Sequence, residues 1–374
     1  MSSLALKEKS YRELKQKNLQ NLLGEYCENI EWIWIGGNSR RKVAFQIDGK
    51  NRLGFFAEKS HDLIEINDGD LVEKEIAELI PLLKNFLKTQ EQNFFTQISV
   101  TLFDNGLDII FSAKKELTFS QTQKLTAFAK EQNFNISYRI KDQLTPIFLV
   151  RKNQIFYSDF NIELTSDIFI QATKAGLENI VKIIRRTLLD VSLGGLSNPV
   201  HMFASKEKTQ MHSPLTQTVS RGQENPTRNV IDLYAGFGAY SFAIQDLTKS
   251  ILAVEGDQVM ADLIRKNAAA NNLSNKIKSE IRDLFGDPVT KNELKKFDLA
   301  IINPPRNGAS PQVLEITKSA IKNLIYVSCN PESFKRDAKI LIDAGFKIKG
   351  ITALDQFCGT KHLELVSIFE KLPN

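Results

Sequence analysis

Residues 297–337, FDLAIINPPRNGASPQVLEITKSAIKNLIYVSCNPESFKRD, read twice as an apolar strand that runs into a polar loop and then a helix. LAII leads into Asn303, Pro304, Pro305 and Arg306; LIYVS leads into Cys329, Asn330 and Pro331. In an open parallel α/β sheet the loops that follow neighbouring strands meet at one edge, where ligands bind. The spacing therefore predicts an Asn-Pro-Pro-Arg corner beside a cysteine. Pro331 suits the first turn of a helix, and a thiol facing helix N–H groups is expected to have its pKa lowered, which makes Cys329 the candidate nucleophile.

The same alternation extends toward the N-terminus. NVIDLYAGFGAYSFAIQ, from residue 229, is a strand, a tight turn through Gly236 and Gly238, and a helix starting near Ala239. ILAVEGD ends its strand at Glu255, a helix covers Val259 to Asn271, and IKSEIRD ends at Asp283. The βαβα order predicts a doubly wound parallel sheet. A glycine turn after the first strand lets backbone approach a ligand, and an acid at the end of the second can accept from ribose hydroxyls. These features suit an adenosine cofactor, NAD or S-adenosylmethionine. AGFG lacks the third glycine of GxGxxG, and Glu255 followed by Asp283 favours the methyl donor.

Further out, NIELTSDIFIQATKAGLENIVKIIRRTLLD (161–190) reads as a strand-like DIFIQ entering a helix with Ile180, Ile183, Ile184 and Leu188 on one face, and Gln171 at the joint. Residues 190–228, rich in Gly, Ser, Thr, Pro and Gln, read as a flexible connector. The first 160 residues mix hairpins and helices without strict βαβ alternation, the pattern of an α+β domain. Residues 1–30 read as an ordinary charged surface helix, and Arg40, Arg41 and Lys42 as a run that either meets phosphates or is simply solvated. The expected division is an accessory domain over 1–160 and a catalytic domain over 161–374.

Composition bounds the partners. A net charge of +5 over 374 residues permits a polyanion without demanding one. The cysteines Cys27, Cys329 and Cys358 form no CxxC pair, so neither a disulfide framework nor a metal site is expected. The N-terminus lacks the apolar core of a signal peptide and no stretch approaches a membrane-spanning length, which leads us to expect a cytoplasmic protein.

Taken together, DLYAGFG, VEG, INPPR, VSCNP with its following Arg-Asp, and LDQFCGTKHLE (354–364) resemble the RNA uracil-C5 methyltransferases of bacterial ribosomal and transfer RNA. The resemblance covers roughly residues 160–374. It implies a Rossmann-like class I methyltransferase domain at the C-terminus, joined to an N-terminal α+β domain that binds RNA. It implies S-adenosyl-L-methionine as cofactor, RNA as partner, Cys329 as nucleophile and Glu364 as catalytic base. Cofactor contacts would fall on Gln171, Tyr234, Gly236, Gly238, Glu255, Asp283 and Asn303, and substrate contacts on Gln171 and Arg306. The sequence departs from the family in two places: Asn303 stands where an Asp is usual, able to hydrogen-bond but not to carry charge, and Cys358 stands where Pro is usual. With three cysteines, no counterpart is expected of the cysteine cluster that holds an iron–sulfur centre in many members, nor of their N-terminal β-barrel. The HLE tail and the LGF hairpin followed by IEI lie nearer the ribosomal than the transfer RNA enzymes. Weighed against this are a transfer RNA enzyme, a cytosine-C5 enzyme, an inactive RNA-binding paralogue and a small-molecule methyltransferase.

Overall fold

The computed structural model describes residues 3–57, 60, 62–66, 69, 71–192 and 227–372. Most of the expected connector over 190–228 falls outside them. The chain forms two compact units, one made of Met1–Ile35 with Gly176–Asn374, the other of Gly36–Ala175.

This differs from a division at residue 160. The first helix, α1 (Ser3–Leu23), and the first strand, β1 (Ile30–Trp34), are built into the C-terminal unit. The physical reason is pairing and burial. All of β1 runs parallel to β16 (Phe346–Asp355), from Ile30 opposite Ile351 to Trp34 opposite Asp355. Leu19 and Leu23 enter the same core as Tyr326, Phe334 and Phe369. The N-terminal helix is therefore not an ordinary surface helix.

The inserted unit holds a seven-stranded sheet in the order β4-β3-β2-β5-β6-β7-β8. Its strands are β2 (Lys42–Ile47), β3 (Leu53–Phe56), β4 (Leu63–Glu65), β5 (Phe95–Phe103), β6 (Gly106–Ala113), β7 (Asn135–Ile140) and β8 (Gln143–Phe148). Helix α2 (Lys74–Lys88) buries Ile76, Leu79, Ile80, Leu83 and Leu87 at helical spacings. Helix α3 (Phe119–Gln132) starts at a Thr118/Gln121 capping box and stops at Asn133, which is left-handed. A separate hairpin joins β9 (Asn153–Phe156) to β10 (Asn161–Leu164). This is the α+β pattern expected of the region.

Two local expectations change here. DIFIQ is not a strand, although Ile168 and Ile170 are buried and Phe169 is exposed. Its carbonyls are taken by side chains instead of a neighbouring strand: Lys42 Nζ donates to Ile168 O at 2.7 Å and Arg41 Nε to Gln171 O at 3.1 Å. Those two bonds also turn Arg41 and Lys42 inward, so they are not part of a phosphate-facing run.

The C-terminal unit is an eight-stranded sheet in the order β1-β16-β17-β15-β14-β11-β12-β13. It comprises β11 (Asn229–Leu233), β12 (Ser250–Glu255), β13 (Ile277–Ile281), β14 (Leu299–Ile302), β15 (Asn323–Ser328) and β17 (Glu364–Lys371) besides β1 and β16. Helices α4 (Lys174–Ser192), α5 (Ala239–Ala243), α6 (Gln258–Ala270), α7 (Lys291–Leu294), α8 (Ser310–Thr317) and α9 (Pro331–Asp343) connect or flank them. Every residue of β14 is buried, as a parallel strand covered on both faces requires. The order reverses between β11 and β14, which places the topological switch point over the glycine turn. The sheet is not wholly parallel: β17 runs antiparallel to both β15 and β16. The remaining strands keep the doubly wound, Rossmann-like arrangement that the βαβα order predicts. Among the described residues no helix is long and apolar enough to cross a membrane.

Candidate active site

Cys329 follows the last residue of β15, and Asn330 caps α9 with Pro331 in its first turn. Asn330 ties two loops together: its Oδ1 accepts from Glu332 N–H at 3.2 Å, and its Nδ2 donates to Arg306 O at 2.8 Å. The thiol is half-buried, and its pKa lies above the ordinary value. Burial is the largest cause and the Glu364 carboxylate the next, with Arg306 and a backbone N–H pulling the other way. The lowering expected from a helix mouth is thus outweighed, and the Glu332 N–H in the first turn of α9 is spent on Asn330.

Glu364 opens β17 and is buried. Because Ser328 pairs with Leu365 in an antiparallel ladder, Cys329 and Glu364 are the next positions across the same two strands. Gln356 Nε2 donates to Glu364 Oε2 at 3.1 Å. Exposed Arg306 brings Nη2 to 3.2 Å from His362 Nδ1, a pairing that puts the imidazole proton on Nε2. A thiol and a guanidinium from two loops and a carboxylate from the start of β17 thus converge at one sheet edge.

Asp337 sets the Arg306 loop and carries no role that the sequence alone reveals. Fully buried on α9, it accepts from Ala309 N–H at 2.6 Å, Ser310 Oγ at 2.6 Å and Tyr326 Oη at 2.7 Å. Arg336 reaches Asp337 Oδ1 at 2.9 Å and Asn307 O at 2.8 Å. Gly308 sits beneath this bracket with φ +81°, where an added Cβ would meet Asp337 Oδ2 at 2.6 Å. The Arg-Asp pair after SCNP is legible as a pattern, but only the fold supplies its partners.

At the switch point, Gly236 and Gly238 both have positive φ, at 58° and 83°. A Cβ on Gly238 would meet Ile264 and Phe242 at 3.1 and 3.2 Å, so that glycine serves packing too, whereas the nearest atom at Gly236 is 4.0 Å away. Gly236 therefore leaves backbone open to an approaching group. Its N–H donates to Glu255 Oε2 at 2.7 Å, and Asp257 N–H donates to Oε1 at 2.9 Å, which orients a half-buried carboxylate with lone pairs to spare. Asp283 is exposed beyond β13 and accepts from Phe285 N–H at 3.0 Å. Asn303 Nδ2 lies 3.5 Å from Tyr240 Oη.

Two polar atoms here are buried without a hydrogen-bond partner among the described residues, Tyr234 Oη and Asp232 Oδ1. Burial raises the Tyr234 hydroxyl pKa, and burial pushes the Asp232 carboxyl up to about 7, against the Ser241 hydroxyl that donates to Oδ2 at 2.6 Å. Unsatisfied polar atoms around an open glycine turn, flanked by two strand-end acids, fit a polar nucleoside cofactor. Gln171 belongs to the other unit, where its carbonyl holds Arg41.

A family model described as tRNA (uracil-5-)-methyltransferase matches residues 207–372. A 23S rRNA (uracil(1939)-C(5))-methyltransferase of Shewanella piezotolerans is 26% identical, aligned over 99% of this chain and 77% of its own. An uncharacterized RNA methyltransferase of Zymomonas mobilis is 29% identical over 89% and 76%. Among solved structures, the tRNA (uracil-54, C5)-methyltransferase of Pyrococcus abyssi in complex with S-adenosyl-L-homocysteine superposes with a TM-score of 0.68 at 20% identity, covering 96% of this chain and 82% of that one.

Proposed function

We propose that this chain is a member of the RNA uracil-C5 methyltransferase family that methylates C5 of a uridine in 23S ribosomal RNA, with Cys329 as nucleophile and Glu364 as base. The observation that carries this reading is the Cys329–Glu364 pair across β15 and β17, with Arg306 tied to the loop of each.

Uracil C5 is a poor nucleophile. Addition of the Cys329 thiolate to C6 moves the ring π electrons onto O4 and C5, and the electron-rich C5 then takes a methyl group. S-adenosylmethionine, held by Tyr234, Gly236, Gly238, Glu255, Asp283 and Asn303, supplies that group as an electrophilic sulfonium methyl. Glu364 afterwards accepts the C5 proton, the C5=C6 bond re-forms, and the S–C6 bond breaks to return the thiolate. Arg306 favours the thiolate before attack and suits the charge that develops on O4. Gln356 fixes the carboxylate that receives the proton.

Ribosomal RNA is favoured over transfer RNA because a relative aligned over 99% of this chain is named for 23S rRNA. The test is a trap with 5-fluorouridine, whose fluorine cannot leave as a cation. Incubated with S-adenosylmethionine and 5-fluorouridine-substituted 23S rRNA fragments or transfer RNAs, the protein is expected to form a denaturation-resistant adduct with the ribosomal fragment, mapped to Cys329 and absent in Cys329→Ala. An adduct with transfer RNA alone moves the substrate assignment. No adduct with either, although S-adenosylmethionine binds, overturns the catalytic reading in favour of an inactive RNA-binding protein.

A further inference from the structure

We propose that Lys15 and Tyr11, on the N-terminal helix, are positioning residues for Glu364: they latch the 356–363 loop, whose Gln356 holds its carboxylate. This rests on the catalytic roles proposed above. Lys15 Nζ donates to Asp355 Oδ1 at 2.8 Å and to His362 O at 2.9 Å. Tyr11 Oη donates to Asp355 Oδ2 at 2.9 Å and accepts from Gly359 N–H at 3.2 Å. The two side chains thus grip the loop at its start, middle and end.

Gln356, beside the first grip, holds Glu364, and the His362 ring, at the last, holds Arg306. A shift of α1 is therefore carried to Glu364 through backbone that has no strand partner of its own, whereas the Arg306 carbonyl is held independently by Asn330 Nδ2 at 2.8 Å. The Lys15–Asp355 pair is also nearly dry, with side chains 8% and 3% exposed. Desolvating two charges largely cancels their attraction, so such a pair does little for stability that an apolar pair would not do. It does fix geometry, because leaving either charge unpaired is costly. Loss of base positioning slows the proton-removal step but leaves thiol addition and methyl transfer, which precede it.

Lys15→Met and Tyr11→Phe in the full chain separate these steps. Three quantities are read: S-adenosylmethionine affinity, the rate of trapping by 5-fluorouridine RNA, and turnover on ordinary RNA. Trapping needs no C5 proton removal. Lys15→Met is expected to keep cofactor affinity and trapping within about 3-fold of wild type while turnover falls about 10-fold or more, the scale of a misplaced general base. Methylated RNA still bound to Cys329 should accumulate on the ordinary substrate. Tyr11→Phe, which keeps the ion pair and removes one hydroxyl, should shift the same ratio by about 3-fold. Turnover within about 2-fold of wild type in both variants, or trapping and turnover falling together, overturns the latch. A wild-type protein that traps nothing refutes instead the reading on which it rests.

Discussion

Removing the Asp337 carboxylate should destabilise the C-terminal unit by about 4 kcal/mol, through the donors it leaves behind. Its partners include two groups with no access to water, Tyr326 Oη and Ala309 N–H, both on fully buried residues. A buried donor without an acceptor costs about 1–3 kcal/mol, so the pair in Asp337→Ala costs about 4. Ser310 is only partly buried and can turn to solvent, and half-exposed Arg336 contributes about 0–1 kcal/mol. Asp337→Asn keeps one acceptor oxygen but points an NH2 at another donor, and should cost about 2 kcal/mol. The two tryptophans of the chain, Trp32 and Trp34, both lie on β1, so their fluorescence in urea follows this unit selectively. Tyr326→Phe supplies the internal check. By itself it costs about 1 kcal/mol, and in the Asp337→Ala background it should cost less or nothing, because the stranded hydroxyl is gone. A loss below about 1 kcal/mol in Asp337→Ala, or simple additivity in the double variant, would refute the bracket.

Two further outcomes follow from charge. Glu364 raises the Cys329 thiol pKa and Arg306 opposes it; Glu364→Gln should move the midpoint of Cys329 alkylation by iodoacetamide to lower pH and Arg306→Gln to higher pH, read on the Cys329 peptide by mass spectrometry, and a common direction for both would contradict the site electrostatics. Asp232 is raised in the folded state from 3.8 to about 7, so its contribution to stability is complete below the lower value and is lost as pH climbs through the upper one; Asp232→Asn should flatten the fall in urea midpoint between about pH 4 and pH 7, and an unchanged slope would show that Asp232 is already ionised in the fold.

The strands and their loops were legible because their signal is local. LAII, LIYVS and NVIDL are short apolar runs closed by turn residues, and a strand buried on both faces has no other way to be written. The family resemblance singled out Cys329 and Glu364, and the antiparallel ladder places the two at neighbouring positions. The N-terminal helix was misread because its signal is half polar. Tyr11, Lys15, Leu19 and Leu23 follow one another at i+4 along a single ridge, but only its lower half is apolar. The upper half meets Asp355, a partner 340 residues away. DIFIQ failed for the complementary reason: its alternation was that of a strand, but Lys42 and Arg41 claimed its carbonyls, a competition that propensity does not register. The Cys329 pKa was misjudged because the helix mouth is visible in the sequence, whereas burial and the carboxylate across the ladder are not.

The reversal of β17 explains how a carboxylate at the beginning of a strand meets a thiol at the end of another. In a parallel sheet the carboxyl ends of the strands share one edge, which gathers Tyr234, Glu255, Asn303 and Cys329 but excludes whatever lies at a strand's start. Only an antiparallel strand delivers its first residue to that edge, and β17 is antiparallel to both neighbours. Glu364 therefore arrives beside Cys329 at the cost of a connection, residues 356–363, that must turn back at the site. Such a loop has no ladder to hold it, and a base displaced by about 1 Å loses much of its value. Parallel pairing of β1 with β16 ends at Trp34 and Asp355, at this same edge. That pairing leaves Asp355 where α1 can reach it, and Lys15 supplies from outside the loop the fixity that the reversed strand does not provide.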